Sequence, residues 1–545
     1  MDEITVIYNK EKKHYKKGIS LLEISKDYEK LYQHKILAAK VNNSIEPLTY
    51  QLEEDAEIDF YDMSSNIGNK IYERTAILVL SKAVLDEYRE QVRIEHSIDK
   101  GIYCTINNLT VEKLKTIKNR MKEIIEESHP IEKLNISRIK AIKYYETRKM
   151  YDKVNLLKYL SNSYVTIYKL DNIYDYMYGE MALNTSYITD FNLEYVNDSG
   201  FALMLPFTYD DNKVNNYTHH EKLFNSVMDY VEWSNKIGMR NVSDLNEMLS
   251  KGKWNDLIFM SEALYNKNLL DIAKTIATNN DIKMVLIAGP SCSGKTTTSK
   301  KLAMFLESEG LNPVALSVDD YFKERIETPV DENGFKDYES IDAIDTNLFN
   351  EQLNKLINGE EVVIPTYNFI KGEKEYKNKL KLKENGILII EGLHSLNDEL
   401  TKTIPSNNKY RIYISPLTSL NLDNHNRLNT TDNRLLRRIV RDNLTRGYNA
   451  SDTLESWQRV RKGETKYVFP YQDKSDIVLN TSLIYEMNVL KVYAEPLLFS
   501  VDSSDPNYME AIRLVNLLRM ILPMPSTSIP LDSVMREFIG NGCFE

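Results

Sequence analysis

A chain of 545 residues is longer than one hydrophobic core can organise, and at roughly 150 residues per domain it suggests three or four units. With 42% hydrophobic and 27% charged residues it has an ordinary globular make-up, and a net charge of −11 with a pI near 5.5 argues against non-specific nucleic-acid binding by the whole chain. The three cysteines, Cys104, Cys292 and Cys543, are too few and too scattered for a disulfide framework or a zinc ribbon, which suits a reducing cytoplasm.

Met1-Asp-Glu-Ile-Thr has neither a basic start nor an apolar core, so no secretory signal is expected. The longest apolar runs, Ala76–Leu80 and Ile387–Ile390, are far too short to span a bilayer, and no membrane partner is expected. Residues 1–62 read as a small mixed unit. Ile4–Tyr8 alternates as a strand, and Ser20 with Glu23 forms a capping box for a helix to about Tyr32. Ile36–Val41, Leu48–Leu52 and Ile58–Tyr61 are further strands. With its Leu52-Glu-Glu-Asp-Ala-Glu-Ile58 turn, this stretch resembles the TGS domain, a β-grasp module.

Residues 63–208 resemble the α+β domain of threonyl-tRNA synthetases that edits mischarged tRNA. The family's His-x-x-x-His helix corresponds to Ile71–Leu78, and its Cys-x-x-x-His segment to Asp175–Met181. The matching positions hold Arg74, Leu78, Met177 and Met181. Leu and Met side chains can neither ligate a catalytic metal nor relay protons, so the resemblance implies the fold without the editing chemistry. Lys113–Lys158 carries 13 Lys/Arg against 6 Asp/Glu. That is either a residual RNA face or a pair of solvated helices, and the apolar spacing of Leu114, Ile117, Met121, Ile124 and Ile125 favours the helices. Residues 209–281 carry apolar residues at helical intervals and read as a helical connector. His219 and His220, adjacent in sequence, read as surface residues.

Residues 282–500 alternate strands and helices, the pattern of a parallel α/β sheet. Met284–Ala288 leads into Gly289-Pro-Ser-Cys-Ser-Gly-Lys-Thr296, which is the P-loop pattern between a strand and a helix. Its glycines allow amide N–H groups to turn inward on an anion, and the helix start adds its positive dipole end. Lys295 would reach the β/γ-phosphates and Thr296 would hold Mg²⁺. The stretch thus predicts binding of a nucleoside triphosphate, with Gly289, Ser291, Ser293, Gly294, Lys295, Thr296 and Thr297 as its contacts. Pro313–Val318 delivers Asp319 and Asp320 at a strand end, and Gly386–Ile390 delivers Glu391. Two carboxylates beside a P-loop can serve phosphoryl transfer, one toward the attacking hydroxyl and one toward Mg²⁺. Arg434, Arg437, Arg438 and Arg441 fall at i, i+3, i+4 and i+7, a stripe expected to act as a lid over the migrating phosphoryl group.

These motifs, with Ser317–Phe322, Ile364–Phe369 and Arg434–Asp442, resemble the uridine kinase/phosphoribulokinase family over about 200 residues. The resemblance implies ATP and Mg²⁺ as cofactors and a nucleoside or sugar as acceptor. Asp319 becomes the catalytic base for a 5′-hydroxyl, with Lys295 and Arg437 also catalytic and Arg441 on the nucleotide. Thr296, Glu391 and Asp319 become the metal side. Glu339 is placed on the ribose hydroxyls, Tyr367 on the base, and Arg434 and Arg438 on the lid and ribose side. Two departures bear on specificity: Gly372 stands where uridine kinases carry a base-reading His, and Glu339 replaces an Asp. Residues 501–545 read as a C-terminal helix and tail, and a homo-oligomer is expected. The competing readings are a tRNA- or ribosome-associated nucleotide sensor and, last, a GTPase. The GTPase-like Asp331-Glu-Asn-Gly334 follows no strand, and no guanine-reading Asn-Lys-x-Asp is present.

Overall fold

The computed structural model describes residues 3–207, 212–331, 334–368 and 371–544. Glu332 and Asn333 of the Asp331–Gly334 motif, Phe369 and Ile370 of the acceptor motifs, and 208–211 at the second expected boundary lie outside the described residues.

Residues 3–61 form a mixed five-stranded sheet. Its order is Glu11–Lys16, Glu3–Tyr8, Ala56–Tyr61, Ala38–Val41, Ser44–Pro47, and the two strands Glu3–Tyr8 and Ala56–Tyr61 run parallel. The capping box forms, with the Ser20 amide donating to Glu23 Oε2 at 3.1 Å and the Glu23 amide to Ser20 Oγ at 3.2 Å. The helix it starts is shorter than expected, Leu21–Ser25, followed by a 3-10 turn at Glu29–Leu31. Tyr15 donates to Asp27 at 2.8 Å and Tyr28 turns inward against Phe60, which together pull the chain off the helix axis. The strand Glu11–Lys16 escaped the sequence reading because it is an edge strand whose charges face water.

The next region is built around the helix Asn66–Tyr88. A four-stranded sheet (Asn192–Asn197, Gly200–Met204, Gly101–Thr105, Arg93–Ile98) and a three-stranded one (Ile131–Ser137, Tyr164–Leu170, Ile173–Asp175) accompany it. Leu78, Met177 and Met181 are buried in one hydrophobic cluster, and Arg74 Nε donates to the Glu180 carbonyl at 3.0 Å. Three of the four positions that the resemblance matches to reactive groups are thus buried apolar side chains. The helix Val111–Glu126 buries Leu114, Ile117, Met121 and Ile124, and its Lys113 and Arg120 pair with Glu90 and with Asp86 and Glu123.

Three helices follow, Glu221–Lys236, Val242–Ser250 and Trp254–Ala277. Of the two expected surface histidines, His219 is exposed and His220 is half-buried and paired. His220 precedes the first of these helices, with Nδ1 2.7 Å from Asp473 and Nε2 3.6 Å from Asp99. The third helix packs on the P-loop helix, where the hydroxyls of Tyr265 and Thr298 lie 2.7 Å apart.

The sheet that carries the P-loop has five strands, all parallel. Their order is Asn312–Ser317, Gly386–Glu391, Met284–Ala288, Lys409–Ser415, Ile477–Asn480. Met284–Ala288 lies second from neither edge but in the centre and is wholly buried, which is why it reads as an unbroken apolar run. The P-loop, Asp319 and Glu391 therefore emerge together at the carboxyl edge of adjacent strands.

Candidate active site

The P-loop turns through positive φ at Cys292 (60°) and Gly294 (88°) before the helix Lys295–Ser308 begins. Gly289 is required by packing, since a β-carbon there would lie 2.2 Å from the Ile414 carbonyl oxygen of the neighbouring strand. Lys295 folds back over the loop and donates to the carbonyls of Gly289 (3.0 Å) and Pro290 (3.2 Å). Ser293 is fully buried beneath the loop, and its carbonyl accepts from Thr481 Oγ1 at 2.6 Å.

Across the cleft, Thr296 Oγ1 donates to Glu391 Oε1 at 3.4 Å. Glu391 is buried at the foot of the cleft, and burial followed by the nearby charge of Asp319 raises its carboxyl, with Lys295 opposing. Asp319, in a 3-10 turn at Val318–Tyr321, keeps solvent access at the cleft mouth. Crowding by the surrounding protein raises its carboxyl too, against the pull of Lys295, Arg446 and Arg441. Two neighbouring carboxyls beside a lysine and a hydroxyl make a pair of groups suited to a cation. Among the described residues no group of three or more His, Cys, Asp or Glu side chains is gathered as a metal cage.

The arginine stripe differs from the open lid expected. Arg434 and Arg437 are buried and tied to the back of the P-loop. Arg437 donates to Glu486 at 2.7 Å, the Cys292 carbonyl at 3.2 Å and the Thr481 carbonyl at 3.0 Å. Arg434 pairs with Glu464, donates to the Ser291 carbonyl at 3.0 Å and lies over the Trp457 ring at 5.4 Å. Arg438 and Arg441 are partly exposed and share Asp442, and Arg438 also donates to Ser291 Oγ at 2.9 Å. The acids missing from the stripe itself come from other elements: Glu464 on the helix Ala450–Tyr467 and Glu486 at the start of Glu486–Phe499. Glu464 also accepts from the Ser291 amide at 2.8 Å. Neither acid was singled out in the sequence, because their partners lie 30 and 49 residues away and no local spacing marks them.

Glu339, placed on the acceptor by the sequence reading, packs against Gly463, where a β-carbon would come within 2.6 Å of Glu339 Cβ. Burial, then the charge of Glu464, pushes its carboxyl up to about 7, with Arg438 opposing. The Tyr367 ring is not presented to an open pocket: it is buried 5.6 Å from the Phe322 ring, and its amide donates to Asp320 at 3.2 Å. Gly372 has φ 77°, and a β-carbon there would lie 2.7 Å from Arg325 Cβ. A side chain there would strain the backbone and require Arg325 to shift.

Residues 284–484 match the model of the phosphoribulokinase/uridine kinase family. A uridine kinase of Borrelia duttonii is 29% identical over 201 residues, covering 36% of this chain and 86% of that protein. A threonine–tRNA ligase of Clostridium kluyveri is 29% identical over 164 residues, 29% of this chain, and this similarity falls in the N-terminal region. The chain spans about a quarter (26%) of the length of that ligase. A solved structure described as a possible uridine kinase from Bacillus stearothermophilus aligns with 39% of this chain at 17% identity and a TM-score of 0.28. The C-terminal part of the chain thus carries a domain of the phosphoribulokinase/uridine kinase family, the build of a P-loop small-molecule kinase.

Proposed function

We propose that the chain phosphorylates the primary hydroxyl of a nucleoside or related sugar, using ATP as donor. The observation that carries this reading is Thr296 Oγ1 donating to Glu391 Oε1 beside the P-loop, with Asp319 and Lys295 near enough for their charges to act on the same carboxyl. Thr296 and Glu391, with Asp319 nearby, would hold Mg²⁺, which when bound supplies positive charge to the donor phosphates. Lys295 leaves its two loop carbonyls to meet the transferred phosphoryl group. Asp319, whose carboxyl the surrounding protein raises, orients the acceptor hydroxyl and takes its proton. Arg438 and Arg441 face the cleft, whereas Arg434 and Arg437 act by holding Ser291 and Cys292 in place. Glu339 reads acceptor hydroxyls, Tyr367 stiffens the wall beside them, and the closed Gly372 position leaves the base without a specific reader.

The test is a panel of nucleosides and pentoses assayed for ATP consumption with wild type and Asp319→Asn. Turnover is expected to fall by about 10²–10⁴-fold in the variant while nucleotide still binds. Full activity in Asp319→Asn refutes the assignment.

We further propose the expected division of the chain, with a TGS-like unit at 1–62, a synthetase-like unit at 63–208, a helical connector at 209–281, the kinase at 282–500 and a tail at 501–545. One observation favours a second, RNA-binding role for the synthetase-like unit. Among the described residues Lys140, Lys143 and Lys149 meet no carboxylate, and Tyr151 and Tyr164 are 58% and 61% exposed on the same stretch of chain. Cations with exposed rings suit a nucleic-acid backbone. Binding to total tRNA with a steep salt dependence supports this role, and no binding at low salt refutes it.

A further inference from the structure

The first turn of the P-loop helix is already in contact with an anion, and that anion belongs to the chain itself. The Thr297 amide, on the third residue of the helix, donates to Glu537 Oε2 at 3.0 Å. Glu537 lies in the short helix Arg536–Ile539, some 240 residues along the chain. Amides at the start of such a helix have no partner within it and are the donors with which a P-loop holds phosphate oxygens.

The contact is built rather than incidental. Val534 presses on the loop, its Cγ2 lying 2.4 Å from where a β-carbon on Gly294 would stand. Phe538 lies 4.7 Å beneath the guanidinium of Arg437, the side chain that props the loop from behind. Asp532 pairs with Lys301 of the P-loop helix at 2.8 Å, and Ser533 is wholly buried against Glu262 and Tyr485. The Cys543 amide closes the segment on the Leu531 carbonyl at 2.9 Å. Leu531–Cys543 is thereby clamped along the P-loop helix, with its carboxylate at the end where the dipole is positive.

We propose that Glu537 is an internal competitor for nucleotide phosphate and that it sets the affinity of the P-loop for its donor. A phosphate oxygen and the Glu537 carboxylate cannot share the Thr297 N–H at close range, so the nucleotide binds only as Glu537 withdraws. Asp532, Ser533 and Phe538 keep the segment beside the helix, so that it loosens without detaching when the carboxylate leaves. The inference rests on the P-loop binding a nucleotide, and the test separates the two.

The experiment is titration of the full chain with a fluorescent ADP analogue, for wild type, Glu537→Gln and Glu537→Ala. Glu537→Ala removes the competing acceptor and Glu537→Gln its negative charge, and both variants are expected to bind more tightly, Ala by about tenfold. Equal or weaker binding by the variants, with wild type binding, overturns the proposal and makes Glu537 a simple support of the helix. No binding by any of the three removes the nucleotide reading and this inference with it. Hydrogen exchange on wild type is independent of how the variants fold. Saturating ADP is expected to raise deuterium uptake in the 531–543 segment, and unchanged or lowered uptake overturns the proposal.

Discussion

At the scale of single residues, Glu339 and Gly372, the proposed acceptor side of the cleft, are positions where chemistry and space conflict. Glu339 titrates at about 7 in the folded chain against an ordinary value of 4.5. Between those values the unfolded chain ionises while the native one keeps its proton, so the native state loses stability as pH rises through that window. Glu339→Gln removes this component. Melting temperatures measured between about pH 5 and pH 8 should therefore fall less with rising pH in the variant than in wild type; equal slopes contradict the assignment. Gly372 has the opposite problem, a backbone at φ 77° and Arg325 against it. Gly372→His, which would restore the residue that uridine kinases carry, is expected to destabilise by about 1–3 kcal/mol in urea unfolding. A neutral result would mean that Arg325 yields, and that the base-reading position is open after all.

At the scale of elements, the helix Thr430–Arg446 shows how far a sequence pattern carries. The i, i+3, i+4, i+7 stripe was legible, and so was its position after the P-loop and the two carboxylate strands. Its environment was not, because Glu464 and Glu486 reach it from helices elsewhere in the chain and bury half of the stripe. For the same reason Arg437 acts on the loop from behind. Arg437→Ala leaves Glu486 buried without its cation and is expected to cost about 3–5 kcal/mol. If denaturant unfolding shows less than about 1 kcal/mol while turnover is lost, Arg437 acts on the substrate directly. The P-loop, by contrast, was fully readable, since its glycines, lysine and threonine are local requirements of backbone geometry. Glu537 was invisible because nothing near it in sequence resembles a phosphate site.

At the scale of the whole molecule, the synthetase-like region and the kinase sheet are joined by polar groups that composition alone gives no hint of. The segment Asn421–Arg427, between the Lys409–Ser415 strand and the arginine helix, enters the other region. Asn421 donates to the Ile94 carbonyl, Asn426 to the Tyr176 carbonyl, and Arg427 pairs with Glu73. Lys153, fully buried, lies 2.7 Å from Asp175 and 3.2 Å from Asp423, and His425 sits against Asp175 at 2.5 Å. Burial alone would raise Asp175, but His425 and Lys153 hold it at about 2. Its contribution is full above its ordinary value of 3.8 and is lost as pH falls toward 2. Lys153→Met strands two buried carboxylates at this junction. It is expected to lower stability by about 3–5 kcal/mol by urea unfolding at neutral pH, and a change below about 1 kcal/mol would show that the junction tolerates separation. The sequence reading found the order of the regions from motifs that are local, and missed the junction because the pairs that cross it join residues far apart in the chain.

The central claim is that Lys295, Asp319 and Glu391 form one phosphoryl-transfer site. It is tested most directly by following the γ-phosphoryl group of ATP onto an acceptor with purified wild type and Lys295→Ala. The account predicts a phosphorylated nucleoside or sugar formed with wild type and reduced by at least about 10²-fold in the variant. Transfer at an equal rate by both proteins, or no transfer to any nucleoside or pentose with Mg²⁺ present, would contradict it.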